Sequence, residues 1–368
     1  MKILFDHQIF SNQTYGGISR YIVELAKSIT NISNSPKDIC IMAPLYRNIY
    51  LSKSKDKINT FGLHIPDIPK TGRIINYVNN SISKRLLTKN KYEIIHETYY
   101  SEKDNYNNKG RLVLTVHDMI HELFPQHFSS NDITRQKKEL AIKRADHIIC
   151  ISESTKTDLI KLLRIDEKKI SVVHHGIAPP VTASDSFAKP IKPFILYVGQ
   201  RNGYKNFSGL ILAYSMSKKI HDNYDLVCFG GGKFSNTELN YFNFLKLNIS
   251  KIHQITGDDS ILSSYYRYAD AFVYPSLYEG FGIPLLEAMS YNCPIACSNT
   301  SSIPEIAGDA AVLFNPNSVN SLSDSLHEIL FNSVIRKRIV ENGRLQIKKY
   351  SWERCADNTY KAYQKSIE

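Results

Sequence analysis

Short runs rich in Val, Ile, Leu and Phe alternate along the chain with longer stretches whose apolar residues recur every three or four positions. The first half offers strands over 2–6, 39–43, 93–97, 112–117, 147–152 and 171–175. The second half offers strands over 194–199, 225–230, 271–275, 294–298 and 311–314. Residues 18–29, apolar at 18, 22, 25, 26 and 29, read as the first helix. Strands that are apolar throughout and separated by helices indicate parallel sheets covered on both faces. Residues 177–193 break this rhythm with four prolines and no helical period, which marks a linker. The expected class is α/β, with two Rossmann-like, doubly wound domains facing each other across a cleft. Residues 1–178 and 194–349 would form them and 179–193 join them. Ligands should then bind at strand carboxyl ends.

A length of 368 residues suits two cores better than one. Hydrophobic residues at 42% and charged residues at 22% are those of a globular protein. No apolar run approaches the roughly 20 residues that span a bilayer. The opening Met1-Lys2-Ile3-Leu4-Phe5-Asp6 meets an acid after three apolar residues, so it reads as a strand and not a secretory signal. Six scattered cysteines show neither a Cys-x-x-Cys pair nor zinc spacing, which favours a reducing, cytoplasmic compartment. The net charge of +11 is uneven. Residues 1–180 hold 27 Lys and Arg against 18 Asp and Glu, whereas residues 181–368 hold 19 against 17.

Candidate chemistry concentrates after the strand at 271–275. There Glu279, Gly280, Phe281 and Gly282 lead to Pro284, which fits the first turn of a helix. The amides of Gly280, Phe281 and Gly282 would sit at that helix N-terminus, where anions bind. Ionised Glu279 and Glu287 accept hydrogen bonds only, so they suit sugar hydroxyls. The plainer alternative is that both glutamates complement the helix dipole. After the strand at 194–199, Arg201 and Lys205 could hold a diphosphate, Arg as a fork and Lys as a point charge; as surface charges they would hold nothing. Gly16 and Gly17 stand between the first strand and first helix and permit close backbone approach. They are not the G-x-G-x-x-G fingerprint of nicotinamide enzymes. His117 closes the strand at 112–117, where it serves either the fold or a sugar hydroxyl.

The run Tyr274-Pro275-Ser276-Leu277-Tyr278-Glu279-Gly280-Phe281-Gly282-Ile283-Pro284-Leu285-Leu286-Glu287-Ala288-Met289 resembles the signature of retaining glycosyltransferase family four. Ser301-Ser302-Ile303-Pro304-Glu305-Ile306-Ala307-Gly308 continues the likeness. The resemblance is dense over about residues 255–316 and implies the GT-B fold. It implies that Glu279 contacts the donor sugar, Glu287 the nucleotide ribose, and Arg201 with Lys205 the leaving diphosphate. It further implies that the Gly16-Gly17 loop closes over the donor phosphates and that His117 lies beside the donor sugar without serving as a general base. The departing phosphate would deprotonate the incoming hydroxyl on the same face. Asn292 stands where members commonly carry Gly; Asn tolerates the left-handed conformation. Gly230-Gly231-Gly232 lies where the family has a turn near the nucleotide, but Lys233 is left outside the site. The closing segment, 350–368 with its helix over 352–366, is expected to return to the first domain.

No Asp-x-Asp occurs, and the expected site uses protein cations, with no metal or other cofactor; adjacent Asp258 and Asp259 read as a helix start. The expected co-substrate is a sugar nucleotide, GDP-mannose first and a UDP-sugar as the alternative. The acceptor is expected to be a lipid-linked or growing surface polysaccharide such as O-antigen, lipopolysaccharide or capsule. Residues 70–91 carry Lys70, Arg73, Lys84, Arg85, Lys89 and Lys91 without an acid, and Ile74, Ile75, Val78, Ile82 and Leu86 at helical spacing. Such a helix suits an anionic membrane surface or a buried face with a solvated basic side. No nucleic-acid module is recognisable. A sugar-nucleotide epimerase or hydrolase of the same fold remains the enzymatic alternative, and a membrane or polyanion adaptor the non-enzymatic one.

Overall fold

Seven strands build the first sheet: β1 (Ile3–Phe5), β2 (Ile39–Tyr46), β3 (Asn59–His64), β4 (Ile94–Glu97), β5 (Arg111–Val116), β6 (His147–Cys150) and β7 (Ile170–Val172). All pair in parallel, in the order β3-β2-β1-β4-β5-β6-β7. The second sheet holds β8 (Phe194–Val198), β9 (Asp225–Phe229), β10 (Ile252–Ile255), β11 (Ala271–Tyr274), β12 (Ile295–Ser298) and β13 (Val312–Phe314). It too is parallel, ordered β10-β9-β8-β11-β12-β13. The computed structural model describes residues 1–33, 36–87, 91–102, 110–180 and 192–368. The chain divides into one compact unit of Met1–Gly176 with Ser351–Glu368, and a second of Ile177–Tyr350. Most of the proline-rich stretch, residues 181–191, lies outside the described residues.

Every residue of β1, β4 and β6 is buried; β1 is apolar throughout, whereas β4 and β6 also bury His96, Glu97 and His147. The hydrophobic pattern does not reveal β3 or β10. Both are edge strands, and most of β3 faces solvent, so neither needs an apolar sequence. β3 also contains Gly62, at φ +145°, where a Cβ would fall 1.7 Å from the Ala43 carbonyl oxygen. The pairing register shifts there, between Met42 and Leu45. Only glycine fits so close an approach.

Helix α1 (Gly17–Ile32) buries Tyr21, Ile22, Leu25, Ala26 and Ile29 against this sheet. The closing helix, Trp352–Ile367, adds Cys355, Ala356, Ala362 and Tyr363 to the same core. Burying each large side chain stabilises the fold by roughly 1.5–3 kcal/mol. The hydroxyl of Tyr363 lies 2.6 Å from Nδ1 of His96 on β4, whose Nε2 lies 2.8 Å from the Thr115 hydroxyl on β5. All six cysteines are buried thiols.

Helix α2 (Gly72–Leu87) corrects one expectation. Its buried stripe is Ile75, Asn79, Ser83 and Leu87, not the face through Ile74, Val78 and Ile82, and Ile74 is 66% exposed. Asn79 sets this roll. Its Oδ1 accepts from the Leu45 amide at 2.8 Å, while Nδ2 donates to the Leu45 carbonyl and the Ser11 hydroxyl. Three buried hydrogen bonds outweigh the gain from turning Ile74 inward. Residues 88–90 of the basic stretch, including Lys89, lie outside the described residues. Helix α3 (Thr134–Arg144) completes the elements that matter below in the first unit. In the second unit they are α4 (Asp259–Tyr268) and α5 (Ile283–Ser290).

Candidate functional site

In the second sheet β8 lies between β9 and β11, so connections leave it in opposite directions. The crevice beyond the carboxyl ends of such neighbours is where open α/β sheets bind ligands. Residues 275–282 follow β11 and end at Gly282, the N-cap of α5, with Pro in the first helical turn. Asp258 caps α4, accepting from the Ser260 and Ile261 amides. Asn292 takes φ +57°, the left-handed turn that its side chain tolerates.

Glu279 is only 8% exposed. Lys205, beyond the end of β8, donates from Nζ to its Oε1 at 2.7 Å. The Tyr274 side chain also hydrogen-bonds Glu279, and burial with this carboxylate pushes the phenol well above its usual pKa. A carboxylate offers about four lone-pair sites and an ammonium three donors. The two groups neutralise each other, and both are of types that hydrogen-bond hydroxyls or phosphates.

Glu279 is held through its backbone as well. Its amide donates to the Ser301 hydroxyl at 2.9 Å, and the Ser302 hydroxyl donates to the carbonyls of Glu279 and Phe281, both at 2.8 Å. Thr300 donates to the Leu277 carbonyl at 3.0 Å. Thr300, Ser301 and Ser302 thus clasp the loop that carries Glu279, Gly280 and Phe281. Phe281 is buried with its ring edge-on to Tyr350, 5.9 Å between centroids; the side chain serves the core. Glu287 is half-buried and accepts from the Tyr266 hydroxyl of α4 at 3.1 Å. The two glutamates have different partners.

Arg201, expected to hold a diphosphate, has its guanidinium engaged by protein groups in this structure. Its side chain is 4% exposed. Nε donates to Glu238 at 2.6 Å, Nη1 to the Gly230 carbonyl, and Nη2 to the carbonyls of Gly232 and Lys233. The guanidinium also lies 4.7 Å from the Phe234 ring centroid. Four of its five donor positions are therefore occupied, three by carbonyls of the turn after β9 and one by Glu238 of the helix that follows. Gly230, Gly231 and Gly232 all have positive φ, and a Cβ on Gly231 would stand 2.6 Å from Nη1. Arginine and glycine turn are built for each other.

The remaining sequence candidates lie in the first unit. Gly16 caps α1 without a side-chain hydrogen bond, and Gly17 begins it. Gly16 has φ 171°, an extended value open to any residue, and a Cβ there would meet only the movable end of the Gln13 side chain. At Gly17 that space is open. His117 follows β5 and is buried, edge-on to Tyr21 at 5.4 Å and stacked with His175 at 6.1 Å. Burial lowers its pKa to about 4, with Asp118 opposing and Lys138 reinforcing the shift. His117 is therefore neutral near pH 7. Such an imidazole can exchange hydrogen bonds with a hydroxyl but carries no charge to a phosphate.

The whole chain aligns with proteins of this architecture. Residues 15–179 match Glycosyltransferase Family 4, and residues 183–346 match Glycosyl transferases group 1. The chain belongs to these GT-B glycosyltransferases. It is 28% identical over 270 residues to O-antigen chain mannosyltransferase B of Escherichia coli, covering 69% of this chain and 70% of that relative. An uncharacterised glycosyltransferase of Methanocaldococcus jannaschii is 26% identical over 95% of this chain and 94% of its own. Sucrose-phosphate synthase from Thermosynechococcus elongatus superposes with a TM-score of 0.73 at 17% identity, covering 98% of each chain. That likeness is one of fold.

In this sugar-nucleotide glycosyltransferase several supporting residues carry weak sequence signals. Ser301, at φ +52°, and Ser302 are ordinary loop residues until the fold sets them against Glu279. Tyr266 and Tyr274 read as core aromatics. Glu238 reads as a helix capping box, which it forms with Ser235, and nothing local announces its bond to Arg201. The three successive glycines at 230–232 were the one visible hint of a special backbone. Among the described residues, no group of three or more His, Cys, Asp and Glu is placed to hold a metal ion.

Proposed function

We propose that this glycosyltransferase moves a hexose, mannose from GDP-mannose as first choice, onto a lipid-linked or growing surface saccharide with retention of anomeric configuration. The observation that carries the reading is the Lys205–Glu279 pair beside the carboxyl ends of the adjacent strands β8 and β11. Glu279 would accept from donor-sugar hydroxyls, and Lys205 would meet the diphosphate as its charge grows. Fixed cations where charge develops lower the barrier. Arg201 would support this site by shaping the glycine turn, and reaches the diphosphate only if its carbonyl partners release it. Glu287 and the amides of Gly280 to Gly282 would complete donor binding in the second unit; in the first unit the Gly16-Gly17 loop would offer its amides to phosphate and neutral His117 would meet a sugar hydroxyl. No metal or other cofactor is required in this reading.

The bond from the anomeric carbon to the phosphate oxygen breaks, and the acceptor oxygen bonds the same carbon from the same face. Its proton passes to the departing phosphate. Mannose is preferred because of the similarity to the Escherichia coli O-antigen mannosyltransferase. The test is a sugar-nucleotide panel read by thermal shift, followed by anomeric analysis of the product by NMR. Stabilisation by a UDP-sugar alone would replace mannose; an inverted product would remove retention. Donor turnover that needs no acceptor would favour the epimerase or hydrolase alternative.

The same enzyme would work peripherally at the cytoplasmic face of a membrane. On α2, Ile74 and Tyr77 are 66% and 74% exposed, among exposed Arg73, Lys84 and Arg85. Exposed apolar side chains within a basic surface suit anionic lipid. Flotation with vesicles of phosphatidylglycerol at moderate salt should carry the protein upward, and Ile74→Asp/Tyr77→Asp should abolish it. Failure of the wild-type protein to float refutes membrane contact.

A further inference from the structure

Lys138, on α3, is 1% exposed, a lysine sealed inside the first unit. Its Nζ donates to the Asp118 carbonyl and to Glu122 Oε2, both at 2.9 Å, and lies 3.6 Å from Asp118 Oδ1. The Tyr100 ring centroid stands 5.5 Å away. Stability alone is a weak reason for this arrangement. Burying an ammonium costs several kcal/mol, and apolar side chains of similar volume often serve a core as well as a buried ion pair does. A methionine could fill the same space, but it could not hold the Asp118 carbonyl.

That carbonyl belongs to the residue directly after His117. The turn is fixed at two further points. The Tyr100 side chain hydrogen-bonds the His117 backbone, and Asp118 Oδ1 accepts from the Ile120 amide at 3.0 Å. The main chain around His117 is therefore bracketed by Lys138 from α3 and by Tyr100 from the segment after β4. Above it, the imidazole packs edge-on to Tyr21 and stacks with His175. The rings orient the imidazole, while the bracket sets where its backbone stands.

The bracket is itself anchored. Arg144, at the far end of α3, donates from Nη2 to both oxygens of buried Glu97, at 2.7 and 2.6 Å, and from Nη1 to the Ser101 carbonyl at 3.0 Å. These bonds tie α3 to the carboxyl end of β4, the same end from which Tyr100 comes. A working side chain has to be held within about 0.5 Å by neighbours that are themselves locked. Lys138 and Tyr100 meet that condition for His117.

We propose that Lys138, together with Tyr100, is a positioning residue: through the backbone of His117 and Asp118 it holds the imidazole where it meets a hydroxyl of the donor sugar. The inference rests on the reading of His117 given above and adds the residues that act through it. Loss of the bracket should therefore harm recognition of the sugar and spare recognition of the nucleotide. Titration calorimetry on the full chain would compare GDP-mannose with GDP, and UDP-glucose and UDP-galactose with UDP. Lys138→Met should weaken the bound sugar nucleotide about threefold or more relative to its nucleoside diphosphate, roughly the worth of one hydrogen bond. His117→Ala should do the same, and the two changes together should lose no more than His117→Ala alone. Tyr100→Phe, which keeps the ring and removes the hydroxyl, should shift the ratio in the same direction and covers a Lys138→Met that does not fold. A folded variant of the bracket that weakens sugar nucleotide and diphosphate equally, or neither, would overturn the proposal. If His117→Ala still lowers the ratio in that case, the reading of His117 stands and only the bracket is lost. If His117→Ala leaves the ratio unchanged, that reading falls and the proposal with it.

Discussion

Lys205 and Glu279 meet at 2.7 Å although 74 residues separate them in sequence. They come from the loops that follow two adjacent strands, β8 and β11. Each is the other's counter-ion.

Lys205→Ala and Glu279→Ala should each lower turnover more than tenfold, about 1.4 kcal/mol or more of transition-state stabilisation. Because the residues touch, the double variant should lose less than the product of the two single losses. Steady-state kinetics on the four proteins would measure this; strictly multiplicative losses would show that the pair does not act as one unit.

Ser302 is fully buried and its hydroxyl serves two carbonyls of the Glu279 loop. Ser302→Ala should cost about 1–3 kcal/mol of stability by leaving buried acceptors unmade. It should also weaken donor binding several-fold, because the loop loses its clasp. Thermal unfolding with and without the best sugar nucleotide reports both quantities.

Gly231→Ala places a methyl 2.6 Å from Arg201 Nη1 at a residue with φ +69°. The backbone alone disfavours the change by roughly 1–2 kcal/mol, and the guanidinium must also move. Arg201→Met should destabilise the second unit to a similar degree, since Glu238 and three carbonyls lose a donor. Urea unfolding would show either effect; wild-type stability in both variants would remove the clamp role.

Acid should loosen the first unit. Burial lowers His96 to about 3, with His117 adding to the shift, and burial lowers His117 to about 4; the unfolded imidazole titrates near 6.5. The unfolded chain therefore binds protons first. The stability from these neutral histidines is fully present above about pH 6.5 and is lost as pH falls toward the folded values. The slope is about 1.4 kcal/mol per pH unit for each histidine within that window. Urea unfolding at pH 7.5 and pH 5 should show the drop, and His117→Asn should show a shallower one. Equal stability at the two pH values would contradict this burial argument.

Much of this protein was readable before folding because its signals are local. Apolar runs mark most strands, and all the expected strands appear, whereas β3 (Asn59–His64) and β10 (Ile252–Ile255) carry polar residues within them and escape notice. Pro284 after Gly282, Asp258 before α4 and Asn292 at a left-handed turn are decided by backbone chemistry within a few residues. The motif around Glu279 to Glu287 likewise names the family without coordinates. What the tertiary structure alone decided are pairings between distant segments. It gives Lys205 to Glu279, Tyr266 to Glu287, and Arg201 to the glycine turn and Glu238. It also turns α2 so that Asn79, not Ile74, faces inward. Periodicity ranks residues by hydrophobicity, but three hydrogen bonds from one buried amide outweigh one isoleucine, and only the fold reveals that those partners are within reach.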